Sequence, residues 1–360
     1  MPTLVEPISF AGITLRNRIV MPPMWSGQAA ADGSVTDAIV EYHRCRAAAG
    51  CGLVIVEHSF VHPRGRASTT QIGAHHDRML PGLSRLAAAI KAEGAVACLQ
   101  ISHAGPRTST AVAGATPLGP SAIRDAPASA APFGAATAWP RHSSPETQAS
   151  EGGHNADGDV PEEVTLPQIA EIVAAFGRAA VRARAAGFDA VELHAAHGFL
   201  LSQFLSPLSN RRDDAYGGSD ENRRRLHLEV LAEVRTCLGP DFPVFVRLGA
   251  SDDTPGGLEI DAGCATAEQL VRGGVDLVDV SGGLQGSRGA GKGPGYFVPC
   301  AEAVKKRVRV PVIVTGGISD PVFADRIVRE GRADLVGIGR AMLNDAEWAR
   351  KAIELLASSR

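Results

Sequence analysis

His194 and His197 stand three residues apart in the segment HAAHGF, directly after the apolar run AVELH. Two imidazoles so placed can hold a metal, make structural hydrogen bonds, or aim N–H donors at an oxygen that gains negative charge during a reaction. No third ligand stands in a suitable motif nearby, and Glu192 is expected on the other side of its strand, which leaves metal as the weakest of the three. A second constellation is built from glycine: Thr315-Gly316-Gly317 and Gly337-Ile338-Gly339-Arg340 each end an apolar run. Glycines there free backbone N–H groups to approach an anion such as a phosphate, and Arg340 adds a charge-assisted contact. The competing reading is that turns favour glycine. Arg247 lies inside VFVRL, where a guanidinium taken singly is half of a buried ion pair.

These residues need strands to carry them. Short apolar runs recur near Arg18–Pro22, Gly52–Glu57, Ala97–Ile101, Ala190–His194, Pro243–Leu248, Leu277–Ser281, Val312–Thr315 and Leu335–Ile338. Continuous rather than alternating hydrophobicity suits parallel strands covered on both faces. Helical spacing fills the intervals, including Leu166–Ala186, Glu221–Cys237 and Asp320–Glu330. Eight such repeats predict an α/β fold, a (β/α)8 TIM barrel, in one domain over 1–360. An open doubly wound sheet would want a glycine fingerprint after the first strand, where Pro22-Pro23-Met24-Trp25 stands instead. All the polar clusters then fall at C-terminal strand ends, the face that carries active sites in barrels. From Arg107 to Thr165 the chain is rich in Ala, Pro, Ser, Gly and Thr without a period. This excursion after strand three predicts a cap over the site, with residues 126–159 expected to be mobile.

The 36 basic and 39 acidic side chains nearly cancel, which argues against nucleic acid or a membrane surface as partner. MPTLVEPISF has no signal-peptide pattern and no apolar run reaches the ~20 residues of a bilayer span, so the expected location is cytoplasmic. The six cysteines form no CxxC and no iron–sulfur ligand set.

With LRNRIVMPPM at 15–24, QISHAG at 100–105, HAAHGFLLSQFLSPLSNRRDDAYGGSDENRRR at 194–225, PSAI at 120–123 and GPGY at 293–296, the chain resembles the old yellow enzyme family of FMN-dependent ene-reductases, in its bacterial thermophilic-like branch. The similarity runs from about Leu4 to Leu356. It implies FMN across the barrel mouth, with Pro22, Pro23 and Met24 passing its ring, and Gln100 and Arg247 at its pyrimidine side. Backbone near Gly283, Gly317, Gly339 and Arg340 would hold the phosphate. His194 and His197 would bind the carbonyl oxygen of a small unsaturated carbonyl substrate, so that hydride from the flavin, loaded by NADPH or NADH, reaches the β-carbon. Asn210, Arg211, Arg212, Tyr216, Gly217 and Gly218 read equally well as a pinned structural loop.

The chain departs from that family where chemistry is decided. A tyrosine that usually protonates the α-carbon is replaced by Phe199. Loss of one positioned acid costs roughly 10²–10⁴ in rate. Water, His58 or Tyr296 would have to substitute, or the net reaction becomes a desaturation or a double-bond isomerisation. Trp25 stands where the branch carries a redox-tuning cysteine, Gly27 where it carries a tyrosine, and His58 where it carries a small residue. Trp25, His58 and Tyr296 are therefore expected to shape the substrate pocket. The end at Arg360 lacks the branch's extension that lends an arginine to a neighbour, so shared sites are not expected, while a homodimer or homotetramer is compatible. Two rival readings are a flavin-binding protein without turnover and a metal-dependent barrel aldolase or hydrolase.

Overall fold

In the computed structural model, residues 1–123, 159–287 and 292–358 are described. Eight parallel strands close on themselves: β3 (Ile19–Met21), β4 (Leu53–Phe60), β5 (Val96–Ser102), β8 (Ala190–Ala195), β9 (Val244–Gly249), β10 (Leu277–Ser281), β11 (Val312–Val314) and β12 (Leu335–Gly337), the last pairing with β3. Each expected strand has its counterpart. An antiparallel hairpin of β1 (Ile8–Phe10) and β2 (Ile13–Leu15), too short to register as a pattern, closes the N-terminal end of the barrel. There Phe10 meets Phe245 with ring centroids 5.9 Å apart.

The barrel interior is layered, and the layers explain why the site forms where it does. Its floor is apolar, with Val20, Leu53, Ile55, Cys98, Ala190, Phe245, Leu277, Ile313 and Leu335 all fully buried. Advancing two residues along a strand keeps the same face, and from these positions it gives Gln100, Glu192, Arg247 and Asp279, a buried polar layer. Two residues further stand Ser102, His194, Gly249 and Ser281 at the mouth. Glu192 therefore shares a face with His194; the expectation that it points away is corrected, since residues two apart on a strand lie on one side.

The helices ring the barrel and bury their apolar stripes against its outer face. In Leu166–Ala185, Thr165 and Gln168 form a capping box that satisfies the first free N–H groups. Ile169, Ile172, Phe176, Ala179 and Ala183 face inward, and a Cβ at Gly177 would lie 2.8 Å from Glu233, so glycine sets the approach to the helix Asp220–Leu238. Among the described residues no helix is long and apolar enough to cross a membrane.

The excursion leaves β5 as expected. Its described ends carry a short helix, Thr110–Ala113, and a parallel pair of β6 (Leu118–Gly119) with β7 (Glu162–Glu163). The 126–159 segment lies outside the described residues, except Asp159, whose carboxylate accepts from the Thr110 amide at 2.8 Å. Arg212 ties both ends down by donating to Pro120 O at 3.1 Å and Val164 O at 2.7 Å, and it pairs with Asp214 at 2.6 Å. Asn210 donates to Phe204 O and Tyr216 O, and a Cβ at Gly217 would sit 2.2 Å from Arg212 O. The loop of 210–218 is thus pinned by its own hydrogen bonds.

His43 illustrates how burial couples this fold to pH. It is fully buried, donates to Ile39 O at 3.0 Å, and burial lowers its pKa from 6.5 to about 4. The unfolded chain takes up a proton below pH 6.5 that the folded chain refuses. Stability from neutral His43 is therefore full above that pH and is lost as pH falls through about 4, at ~1.4 kcal/mol per pH unit. His43→Leu is expected to flatten the acid limb of a denaturation-versus-pH curve by that slope; an unchanged limb would mean the ring is protonated in place.

Candidate active site

Beyond β8 the backbone turns through His197 at φ +59° and Gly198 at φ +73°. A left-handed non-glycine residue is held there by its surroundings. The His197 amide donates to Gly282 O at 3.0 Å, and its Nε2 lies 2.7 Å from Ser281 Oγ. A Cβ at Gly198 would meet the Arg107 guanidinium at 2.6 Å. His194 and His197 meet edge to face with ring centroids 5.1 Å apart, and His194 Nδ1 is buried without a partner among the described residues. Burial pushes both pKa values well below the usual histidine range; His197, His58 and Arg247 add to it at His194, and Arg247, His58 and Arg107 at His197. Both rings are neutral at ordinary pH, and a neutral imidazole donates a hydrogen bond without needing a counter-charge.

One layer below, Gln100 Nε2 donates to Glu192 Oε1 at 2.8 Å, and Arg247 Nε stands 3.3 Å from Asp279 Oδ2. The second contact is an ion pair without an aligned hydrogen bond: Arg247 Nε, both Asp279 oxygens and Glu192 Oε2 lack hydrogen-bond partners among the described residues. Two carboxyl groups share one guanidinium in a fully buried layer. Burial raises Asp279 to about 6 against the pull of Arg247, and burial with Asp279 nearby raises Glu192 well above the ordinary range. Glu192 therefore keeps its proton near neutrality, and Asp279 is the carboxylate that pairs with Arg247.

The glycine ends divide. Gly317 (φ +68°) and Gly339 donate to no acceptor among the described residues, and a Cβ at Gly339 would meet Met24 Sδ at 3.0 Å. Arg340 forms no salt bridge among the described residues and donates to Tyr296 Oη at 3.0 Å. Gly283 differs: its amide donates to Ser251 O at 2.9 Å and a Cβ would collide with Asp252 Oδ1 at 2.2 Å. Its N–H is spent inside the loop, so Gly283 shapes the rim and offers no free amide to a phosphate.

These features fit FMN. Open amides with Arg340 suit a phosphate, Pro22 and Met24 flank Gly339, and Pro23 is buried beside them. Gln100, the Arg247 edge and the buried unpartnered Trp25 Nε1 supply hydrogen-bonding groups for a flat heteroaromatic ring.

On the substrate side, Phe199 packs on His194 at 4.5 Å and on His58 at 5.1 Å between ring centroids. His58 reaches the site because the β4 register shifts between Val56 and Ser59. Such a bulge re-aims side chains, and it sends Glu57 to the Ser26 amide at 2.6 Å instead. Trp25 packs against Gly27, whose Cβ would lie 3.3 Å from the indole. Tyr296 does not join this group. Its ring covers Gly316 and Gly317 and its hydroxyl donates to Ser287 O at 2.8 Å, so it belongs to the Arg340 end and is no substitute proton donor beside the histidines. Gln71, which touches His58, escaped sequence reasoning because nothing in the run Ser68–Gln71 signals a pocket.

A family model described as NADH:flavin oxidoreductase / NADH oxidase matches residues 3–358. Similar curated proteins include an NADH oxidase of Thermoanaerobacter brockii, 37% identical over 98% of this chain and 51% of its own length. An NADPH dehydrogenase of Bacillus licheniformis is 36% identical over 98% of this chain and 94% of its own. The chain thus spans about half the length of the first relative and nearly all of the second. A solved structure of 2-naphthoyl-CoA reductase with 2-naphthoyl-CoA superposes with a TM-score of 0.85 at 28% identity, covering 98% of this chain and 52% of that one.

Proposed function

The chain belongs to the NADH:flavin oxidoreductase / NADH oxidase family, and from that premise we propose that it reduces the C=C bond of small α,β-unsaturated carbonyl compounds at the expense of NADPH or NADH. FMN, with its phosphate at Gly317, Gly339 and Arg340 and its ring near Gln100 and Arg247, would supply the hydride carrier between nicotinamide and substrate. The observation that carries the reading is the pair of neutral, buried imidazoles, His194 and His197, with the Arg247 guanidinium close by.

In that role the two rings donate to the carbonyl oxygen and stabilise the charge that grows on it as the β-carbon accepts hydride. Ser281, 2.7 Å from His197 Nε2, holds that ring in place. Arg247 favours negative charge on the cofactor side, and the proton kept by Glu192 leaves Asp279 as the carboxylate it pairs with in the layer. Phe199 and Trp25 exclude water from the faces they cover.

The test begins with the purified yellow protein, reduced anaerobically with NADPH and then mixed with 2-cyclohexenone or N-ethylmaleimide. Rapid reoxidation with the saturated product supports the proposal. Phe199 favours a second reading, a desaturase or isomerase on the same scaffold, because its ring occupies the proton donor's place against His194. Failure of NADPH to reduce the bound flavin would favour that alternative. If protonation limits turnover, Phe199→Tyr is expected to raise the rate of saturated product formation by roughly 10²-fold or more. No gain in stopped-flow reoxidation would mean that water already delivers the proton.

A further inference from the structure

The hydrogen-bond polarity of His58 can be read from its neighbour. Gln71 Oε1 accepts from the Ala67 amide at 2.6 Å, and Gln71 Nε2 donates to His58 O at 3.1 Å. Exchanging the amide ends would set oxygen against carbonyl and NH2 against N–H, so the orientation is fixed by backbone on both sides. Gln71 Nε2 also lies 2.6 Å from His58 Nδ1. An amide nitrogen donates and does not accept, so Nδ1 is the bare nitrogen and the ring hydrogen resides on Nε2. Nε2 has no partner among the described residues, and the residue is half-buried on the side of Phe199 and His194. Burial, with Arg247 nearby, keeps the ring uncharged by lowering its pKa to about 4.

The pocket then has two donor stations joined by one apolar wall. His194 and His197 form the first, and His58 forms the second, with its ring centroid 6.3 Å from that of His194. Phe199 contacts both. That spacing is on the scale of one small ring with an oxygen at each end.

We infer that His58 is a specificity residue whose Nε2–H receives a second acceptor of the substrate, so that the site selects cyclic conjugated compounds with two carbonyl oxygens, such as enediones and quinones, over simple enones. The inference rests on the proposed reading of the pocket as an enone-reducing site. A substrate with one oxygen leaves the His58 donor facing apolar surface, and an unmet buried donor costs more than the bond would have gained.

The experiment titrates the oxidised holoenzyme with 2-cyclohexenone and with a trimethylated cyclohexene-1,4-dione, reading the shift of the flavin spectrum. His58→Ala is expected to weaken the dione about tenfold more than the mono-ketone, the worth of one hydrogen bond. In parallel, [15N]histidine-labelled holoenzyme should show the His58 resonances, assigned by their loss in His58→Ala, as the Nε2–H tautomer. Gln71→Met should turn that signal into a tautomer mixture and erode the preference for the dione. Equal weakening of both ligands by His58→Ala, or an Nδ1–H tautomer in the parent protein, would overturn the inference while leaving the enone reading intact. If the flavin-loaded parent neither binds nor reduces either ligand, the enone reading fails and takes this inference with it.

Discussion

Arg247→Leu is expected to yield a protein that has lost most of its flavin and about 3–5 kcal/mol of stability, the cost of removing one partner from a buried charged group. The reason lies in the second interior layer. Glu192 and Asp279 are fully buried, Arg247 is the cation between them, and Asp279 is already raised to about 6 with the guanidinium in place. Without it each carboxyl must hold its proton or pay for an isolated buried charge. The pH dependence has a definite sign. An acid whose folded pKa is raised above its unfolded 3.8 is favoured in its protonated form by folding. The variant should therefore regain stability as pH falls from about 7 toward 5, over which the parent changes less. Denaturant midpoints at several pH values, with flavin content from the absorbance of the purified protein, check both halves. The double variant Arg247→Leu with Asp279→Asn should recover stability without recovering flavin. If the single variant keeps its flavin at full occupancy, Arg247 has no part in holding the cofactor.

How much of this was legible in the chain depended on which periodicity was at work. Parallel strands covered on both faces read as unbroken apolar runs, so AVELH and VFVRL marked β8 and β9 within a residue or two. The mouth was legible because barrels place chemistry at strand C-termini, and His194 and Gly317 both fall there. Side-chain direction was harder. A bulge breaks the alternation in β4, and only the three-dimensional register shows that His58 points into the site while Glu57 leaves it. Tyr296 and Gly283 entered through the family resemblance, whereas loop hydrogen bonds to Ser287 and Ser251 decide where they go. The polar layer was hidden for another reason: Glu192 and Asp279 each look like surface residues until both are seen to share Arg247.

The second large effect concerns the oxygen-binding pair. His194→Ala should slow reoxidation of the reduced protein by an enone roughly 10²–10³-fold, the usual cost of removing one donor from a preorganised oxyanion site. His194 Nδ1 has no partner among the described residues, so little in the fold depends on that atom and flavin content should be unaffected. His197 is bound to the fold more tightly, through its left-handed backbone and the contacts to Ser281 and Gly282. Alanine there combines loss of a donor with backbone strain, which a single rate cannot separate. His197→Asn separates them, because asparagine tolerates the left-handed region and carries an amide donor of its own. It should fall between the parent and His197→Ala in rate while matching the parent in stability. The double variant His194→Ala with His197→Ala should cost less than the product of the singles, since both rings act on one oxygen. Full multiplication of the two effects in stopped-flow reoxidation would show that the histidines serve different atoms of the substrate, and a shared oxyanion site would have to be abandoned.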